Sequence, residues 1–231
     1  MTRVAGILNL TPDSFSDGGN YFKLDKAVRH AHRMLEAGAD LIDIGGESTR
    51  PGSQIIAPEE EVERVLPVVK ALVSDGISQI SIDTRNAKTA FACLKAGATW
   101  INDVSAFTHD PKMVFAARDA EGVILMHMRG TPQNMQQGPI IYSDVIGEIK
   151  TYLAERIEYA LNNNLRREQI IIDPGIGFGK TLEHNIEILC RLDELKTLGP
   201  VMVGPSRKRF IGELTGVSNA AERDFGTVGA V

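Results

Sequence analysis

The chain has 231 residues, of which 43% are hydrophobic and 24% are charged, values ordinary for a folded water-soluble domain. The net charge of −5 argues against a general nucleic-acid-binding protein, because such proteins carry a basic patch. No apolar run approaches the roughly 18 residues that a membrane-spanning helix needs, and the apolar stretch at the start is too short for a signal peptide, so we expect a cytoplasmic protein.

Short aliphatic runs recur along the chain, and each is followed by polar residues and then by a helical pattern. The runs are continuous rather than alternating, which is typical of strands buried on both faces of a parallel sheet. There are seven of them, at residues 4–8, 41–44, 79–82, 100–101, 123–126, 170–172 and 201–203.

Helical spacing fills the intervals between the runs. Apolar residues recur three and four positions apart in four segments, at residues 27–35, 62–72, 145–161 and 186–195. Alternating strands and helices predict an α/β fold, either a (β/α)₈ TIM barrel or a doubly wound sheet. Cys93 and Cys190 lie in helical segments, where we expect both to be small buried residues.

Polar residues at the strand ends favour the barrel. They occur at Asn9, Asp43, Asp83, Asn102, His127, Asp173 and Ser206. In a barrel the carboxyl ends of all strands form the active-site face, whereas a doubly wound sheet gathers functional residues at one or two switch points. No eighth strand follows the last run, so we expect a single barrel domain over residues 1–231 that lacks its eighth strand and last helix.

Three of the predicted strands are followed by long loops. Their sequences are "NLTPDSFSDGGNYF", "GGESTRPGSQIIAP" and "HMRGTPQNMQQGPIIY", after the first, second and fifth runs. Loops this long in a compact domain are usually functional or disordered.

Acids and an amide stand at several strand ends. Asp83, Asp173 and the pair Asn102-Asp103 follow or end aliphatic runs, and each alone could cap a helix, worth about 1 kcal/mol. If these residues meet at the mouth of the barrel, the open end where the strands finish, they suit a flat, nitrogen-rich heterocycle, because carboxylates accept hydrogen bonds from ring N–H and amino groups. Nothing in this set requires a metal.

The stretch "IIIDPGIGFGKT" at residues 170–181 has three glycines and a Gly-Lys-Thr sequence after an aliphatic run, as a phosphate-binding loop would. A Walker A motif would place a glycine at position 174, which is Pro174, and the dinucleotide motif would place one at Lys180. Neither motif is present. We therefore expect the glycines to let the backbone turn tightly at the barrel mouth, and Lys180 and Thr181 to lead into a helix.

Basic residues accompany the strand ends, at Arg50, Arg129 and the run 207–209. The run suits a phosphate or a carboxylate-bearing substrate, although a solvated run of charges would look the same. No residues have zinc-ligand spacing, and no Ser or Cys nucleophile has an obvious base.

Six motifs in order resemble the dihydropteroate synthase family. They are "GILNLTPDSFSDGG", "DIGGESTRPG", "ISIDT", "INDV", "DPGIGFGKT" and "SRKRFIG", and the resemblance runs from Gly6 to about Gly229. It implies a (β/α)₈ barrel of folate biosynthesis. Such an enzyme joins p-aminobenzoate to a pterin methyl pyrophosphate and releases pyrophosphate, with Mg²⁺, and it is inhibited by sulfonamides.

The resemblance also implies roles for particular residues. The pterin ring would be held by Asp83, Asn102, Asp173 and Lys208. Asn9 would bind the Mg²⁺-pyrophosphate. The loop residues that would order over the pyrophosphate and shape the p-aminobenzoate site are Phe15, Asp17, Thr49, Arg50 and Pro51, and the residues lining that site would be Phe178 and Ser206.

Members of this family are commonly homodimers, and some are fused to a pyrophosphokinase of the same pathway, so the resemblance allows a larger polypeptide. The family's last strand carries an Arg-x-His pair for pyrophosphate, and nothing before Val231 supplies it. Two alternatives stay open: a pterin-binding methyltransferase barrel, which would lack "TPDSFSDGG" and "STRPG", and a non-catalytic pterin-binding module.

Overall fold

The computed structural model describes residues 2–11, 20–49 and 52–230. Six parallel strands form one sheet in sequential order. They are β1 (Ala5–Asn9), β2 (Leu41–Gly45), β3 (Ile80–Asp83), β4 (Trp100–Asp103), β5 (Gly122–Met126) and β6 (Ile170–Asp173). The order never reverses, so the described strands contain no switch point of a doubly wound sheet, and the barrel-type prediction is favoured.

Helices alternate with the strands as the spacing predicted. In chain order they are α1 (Asn20–Glu36), α2 (Pro58–Ser74), α3 (Ala87–Lys95), α4 (Met113–Ala117), α5 (Val145–Asn162), α6 (Leu182–Cys190), α7 (Leu192–Leu195), α8 (Arg209–Thr215) and α9 (Asp224–Gly229). The start of α2 shows why the sequence folds this way. Pro58 occupies the first turn, where its missing N–H costs nothing, and Glu59 and Glu60 follow at the positive end of the helix dipole.

The seventh predicted strand is reduced to one parallel bridge between Ile172 and Val201. Two backbone hydrogen bonds hold it, from the Ile172 N–H to the Pro200 carbonyl at 3.0 Å and from the Met202 N–H to the Ile172 carbonyl at 2.8 Å. In this register the next donors would be the backbone nitrogens of Pro200 on one side and of Pro174 on the other, and neither proline has an N–H, so the ladder ends after one bridge.

The two faces of the sheet differ in character. The face under the helices carries an apolar row whose members are all buried: Leu8, Ile44, Ile82, Ile101, Val123 and Ile170. The opposite face carries Asp43, Ser81, Asp83 and Asn102 among its apolar residues. The core therefore lies between the sheet and its helices, and the opposite face is free to form a site.

Two expectations about burial need correction. Strands β2 and β5 are buried throughout, but β1 leaves Ile7 47% exposed, because the described residues pair β1 on one side only. Cys93 is buried, whereas Cys190 is exposed. Cys190 lies two positions beyond the buried Ile188 on α6, which turns its side chain to the opposite face of the helix.

Candidate active site

The parallel register aligns Asn9, Gly45, Asp83 and Asn102 across four neighbouring strands, so their side-chain positions share one face. Gly45 leaves room within this row. A Cβ atom there would lie 3.4 Å from Asp83 Oδ2 and 3.5 Å from Asn9 Oδ1. An amide oxygen and a carboxylate oxygen therefore converge over Gly45.

Asp43 and Asn102 are joined below this row. Asn102 Nδ2 donates a hydrogen bond to Asp43 Oδ2 at 2.9 Å, and both side chains are buried. Because the amide NH₂ points to Asp43, the carbonyl oxygen of Asn102 points the other way. The pair fixes which end of the amide a ligand would meet.

Asp83 and Asp43 are buried carboxyl groups with unmatched oxygens. Oδ1 of each is buried and has no hydrogen-bond partner in the described part of the chain. Burial raises the pKa of Asp83 well above its ordinary value, and the neighbouring carboxylates of Asp43, Glu61 and Asp103 raise it further. Burial also raises the pKa of Asp43, and the neighbouring Ser81 hydroxyl and Asn102 amide oppose that shift. A ligand that brings N–H donors or positive charge would satisfy these oxygens and favour the ionised forms.

Asp173 ends β6 and accepts a hydrogen bond from the Gly175 N–H at 2.6 Å. Burial raises the pKa of its carboxyl, and the ammonium groups of Lys208 and Lys180 oppose that shift. Asp173 therefore shapes the turn that follows it and also lies in a field of two cations.

Lys208 lies directly before α8, and its side chain turns inward. Its Nζ donates to the Ile176 carbonyl and lies 4.5 Å from the centre of the Phe178 ring, a cation–π distance. Burial lowers the pKa of Lys208 to about 8, against the opposing effect of Asp173 and Asp83. Asp83, Asp173, Lys208 and Phe178 are thus gathered at one end of the sheet.

The loop after β6 turns tightly through glycines, as the sequence predicted. Gly175, Gly177 and Gly179 have φ values of 70°, 81° and 68°. A Cβ atom on Gly175 would lie 1.9 Å from the His127 carbonyl oxygen, so the β6–α6 loop is pressed against the β5–α5 loop. Thr181 caps α6 by accepting from the His184 N–H, which confirms its predicted place at a helix start.

His127 and Lys180 form a buried contact between the same two loops. Lys180 Nζ lies 3.0 Å from His127 Nδ1, and both residues are buried. The His127 ring packs edge-on against Tyr152 at a centroid distance of 5.1 Å. Lys180 does not simply lead into α6, and its burial is the part of the motif that the sequence prediction missed.

The basic run at residues 207–209 does not act as one cluster, which corrects the phosphate-site interpretation. Arg207 pairs with Asp224 at 2.6 Å and Arg209 pairs with Glu213 at 2.6 Å, both on the surface. Lys208 alone of the three turns into the mouth. Arg129 is also structural, because it donates to backbone carbonyls of its own loop.

Of the predicted loop residues, Ser206 is exposed in the turn before Lys208, and Thr49 is partly buried after β2. Phe15, Asp17, Arg50 and Pro51 lie outside the described residues. Their roles stay predictions.

The two members of the "INDV" pair separate. Asn102 faces the mouth, whereas Asp103 lies on the helix-facing row and accepts from the Ser105 and Phe107 N–H groups, each at 2.8 Å. Asp103 therefore holds the turn from Ser105 to Phe107 and does not cap a helix, because the next helix, α4, begins only at Met113. Asp43, by contrast, contributes a contact that no local pattern signals, because its partner Asn102 is 59 positions away.

Within the described ranges, no group of three or more His, Cys, Asp or Glu side chains is placed to hold a metal ion. No helix in that part of the chain is long and apolar enough to span a membrane.

Comparison with known proteins agrees with this geometry. The sequence profile described as "Pterin binding enzyme" matches residues 5–231. A dihydropteroate synthase of Synechocystis sp. is 47% identical over 98% of this chain and 78% of its own length. A folate synthesis bifunctional protein of Arabidopsis thaliana is 40% identical over 100% of this chain, which spans 51% of that protein.

Solved structures agree as well. The Xanthomonas albilineans dihydropteroate synthase with 4-aminobenzoic acid has a TM-score of 0.90 and 44% identity, over 99% of this chain and 81% of that one. The Yersinia pestis dihydropteroate synthase with a sulfonamide drug has a TM-score of 0.91 and 43% identity, over 99% and 82%. The chain therefore belongs to the dihydropteroate synthase family of pterin-binding enzymes.

Proposed function

We propose that the mouth formed by the strand ends is where this chain carries out its family's reaction. The chain is a transferase of folate biosynthesis that condenses 6-hydroxymethyl-7,8-dihydropterin pyrophosphate with p-aminobenzoate to give 7,8-dihydropteroate and pyrophosphate. The observation that carries the assignment of the mouth is the pair of buried, unmatched oxygens on Asp83 and Asp43 beside the fixed Asn102 amide.

The pterin ring is assigned to Asp83, Asn102, Asp173 and Lys208. A pterin presents ring N–H groups and an exocyclic NH₂, which donate to carboxylates and to an amide oxygen. Lys208 supplies the complementary donor for a ring acceptor. The oriented Asn102 amide supports this assignment, because its carbonyl oxygen is the end left for the ligand.

The p-aminobenzoate is assigned to the side of the mouth that carries Phe178 and Ser206, with loop residues Phe15, Asp17, Thr49, Arg50 and Pro51. Phe178 offers an aromatic face next to the Lys208 ammonium. That combination suits an aryl ring with a carboxylate, since the ring packs and the cation attracts the charge.

Mg²⁺ fits the oxygen donors at Asn9. The amide oxygen of Asn9 faces the space over Gly45, beside the carboxylate of Asp83, and an amide oxygen is a hard ligand. Magnesium commonly binds through one or two protein oxygens plus substrate phosphates, so the site does not need a larger protein cluster. When bound, the ion would neutralise charge on the leaving pyrophosphate.

The chemistry we propose is a dissociative displacement. The carbon–oxygen bond of the pterin methylene breaks, and pyrophosphate leaves with the electron pair. The electron-poor methylene that remains is stabilised by ionised Asp83 and Asp173, whose negative charge acts strongly in a buried site. The p-aminobenzoate amine then forms the new carbon–nitrogen bond and passes its proton to the released pyrophosphate or to water, and no nucleophilic side chain is required.

The direct test is to incubate the protein with the pterin pyrophosphate, Mg²⁺ and p-aminobenzoate and to measure dihydropteroate. In single turnovers, Asp83→Asn and Asp173→Asn should slow the chemical step, because a neutral amide stabilises the cation less. Unchanged rates and unchanged pterin affinity in both variants would refute the assignment. Tight pterin binding without product would favour the non-catalytic module, and methyl transfer from methyltetrahydrofolate to a corrinoid would favour the methyltransferase.

We further propose a homodimer and a cytoplasmic location. Phe225 and Val228 on α9 are 94% and 75% exposed, and such apolar side chains suit a subunit contact. Light scattering after gel filtration would give the mass.

Cys93 and Cys190 are both free thiols, as is usual in a reducing compartment, and cell fractionation tests the location. A fused pyrophosphokinase domain stays a prediction.

A further inference from the structure

Lys180 has a set of partners that matches its charged form. An ammonium group carries three donor hydrogens. Around Lys180 Nζ lie three acceptors: His127 Nδ1 at 3.0 Å, the Phe178 carbonyl at 3.1 Å and the His127 carbonyl at 3.4 Å. Because the side chain is only 4% exposed, water is not needed to satisfy any of the three hydrogens.

His127 is neutral in this contact, and Lys180 is mostly ionised below about pH 7. Burial and the neighbouring Lys180 charge lower the pKa of His127 to about 3, so the imidazole is neutral. Its Nδ1 accepts from Lys180, which places the ring proton on Nε2. Burial lowers the pKa of Lys180 to about 7, opposed by Asp173 and reinforced by Lys208.

Two other side-chain hydrogen bonds join the same two loops, and both are less buried than the contact of Lys180. Gln136 Nε2 donates to the Gly177 carbonyl at 2.9 Å, but that bond is exposed. Tyr142 donates to the Gly179 carbonyl at 3.1 Å and is partly buried. Among Gln136, Tyr142 and Lys180, it is Lys180 whose contact is fully buried. Its Nζ also donates a hydrogen bond to the backbone carbonyl of Phe178.

We propose that Lys180 is a positioning residue, whose buried ammonium ties the β5–α5 loop to the β6–α6 loop and so holds Phe178 in the wall of the p-aminobenzoate site. The inference rests on the proposed function, since it is through Phe178 that Lys180 acts on that substrate.

The test compares Lys180→Met with wild type in two measurements. One is the steady-state KM for p-aminobenzoate with kcat. The other is the equilibrium affinity for the pterin pyrophosphate without p-aminobenzoate, followed by the fluorescence of the single tryptophan, Trp100, two residues before Asn102 on the same strand. We expect KM to rise at least about tenfold, the equivalent of one hydrogen bond to a charged group, with pterin affinity changed less than about threefold. Lys180→Arg, which keeps a charged donor, should recover part of the KM.

Gln136→Ala is the matched control, because it removes an exposed bond between the same loops and should change KM by less than about twofold. The inference is overturned if Lys180→Met leaves KM within about twofold of wild type, or if KM and pterin affinity weaken by the same factor, as general loosening would produce. If the Met variant does not fold, Lys180→Gln decides by the same criteria. A wild-type protein that makes no dihydropteroate would instead end the proposed function.

Discussion

The carboxyl groups of Asp83 and Asp43 each keep a buried oxygen without a partner in the described part of the chain. A buried oxygen without a hydrogen-bond partner destabilises the folded protein, and native structures contain few of them. A bound ligand with N–H donors would remove this destabilisation. Their place in the mouth, beside the oriented Asn102 amide, makes these oxygens the strongest sign of a binding site in the structure.

Asp43→Ala should weaken pterin binding while leaving the fold largely intact. The substitution frees the Asn102 amide to turn over, so we expect affinity to fall about five- to tenfold, the value of one hydrogen bond. Loss of a buried, partly unmatched carboxyl should offset part of the stability lost with the bond. Asp43→Asn, which still offers an oxygen to Asn102, is the control and should retain most of the affinity. Equal binding by Asp43→Ala and wild type would show that Asp43 does not set the amide.

The buried acids also predict how stability depends on pH. Since the folded-state pKa of Asp83 is raised above 3.8, the native state binds more protons than the unfolded chain between the two values. The free energy of unfolding should therefore be highest below the ordinary pKa and fall as pH rises through the raised one. Each such group contributes a slope of up to about 1.4 kcal/mol per pH unit.

Urea unfolding over a pH series tests this, with Asp83→Asn as the variant and Asp193→Asn as the control. Asp83→Asn should reduce the fall in stability on raising the pH. Asp193 is an exposed acid whose pKa is held below its ordinary value by Lys196, so above that ordinary value it is ionised in both states and its replacement should leave the slope unchanged. A slope that is the same in Asp83→Asn and wild type would contradict the raised pKa.

Prediction from sequence reached the mouth residues because their signal is local. Asp83, Asn102 and Asp173 each end an aliphatic run. The pairing of parallel strands brings such ends together, and this does not depend on the conformation of the loops. The burial of Lys180 was not predictable in this way. Its partner His127 lies 53 positions away, and a lysine before a helix gives no sign of such a contact.

At the scale of elements, the β6–α6 loop is the most constrained segment next to the mouth. Its helix start at Thr181 and its glycine turns were readable from sequence, because capping and left-handed backbone have strong residue preferences. The shortening of the seventh strand was not foreseen, although Pro200 and Pro174, which lack the N–H groups of the next two ladder bonds, are its cause.

Gly175→Ala should destabilise the protein by more than about 2 kcal/mol, because it adds a clash to an unfavourable backbone angle. Its φ is 70°, and the new Cβ would lie 1.9 Å from the His127 carbonyl oxygen. Gly216→Ala is the matched control: φ is 74° and nothing lies within 4 Å, so it should cost about 1 kcal/mol. Urea unfolding gives both values. Similar losses in the two variants would mean that the β5–α5 loop moves away freely.

At the scale of the whole molecule, the mouth has two sides of different origin. Strands β1 to β4 present oxygens from Asn9, Asp43, Asp83 and Asn102. The loops after β5 and β6 present the ring of Phe178, whose backbone carbonyl accepts a hydrogen bond from Lys180. The sheet side is rigid because its residues stand on hydrogen-bonded strands. The loop side depends on contacts such as those of Lys180. Two substrates with different chemistry can therefore be recognised by two parts of the fold.

Sulfonamides should compete with p-aminobenzoate and not with the pterin, because they imitate an aryl amine opposite an acidic group and would occupy the loop side. We expect the apparent KM for p-aminobenzoate to rise in proportion to drug concentration while kcat stays constant. Pterin affinity, measured by Trp100 fluorescence without p-aminobenzoate, should not fall when the drug is added. A fall in kcat at constant KM, or displacement of the pterin, would place the drug on the sheet side and would contradict the division of the mouth into two parts.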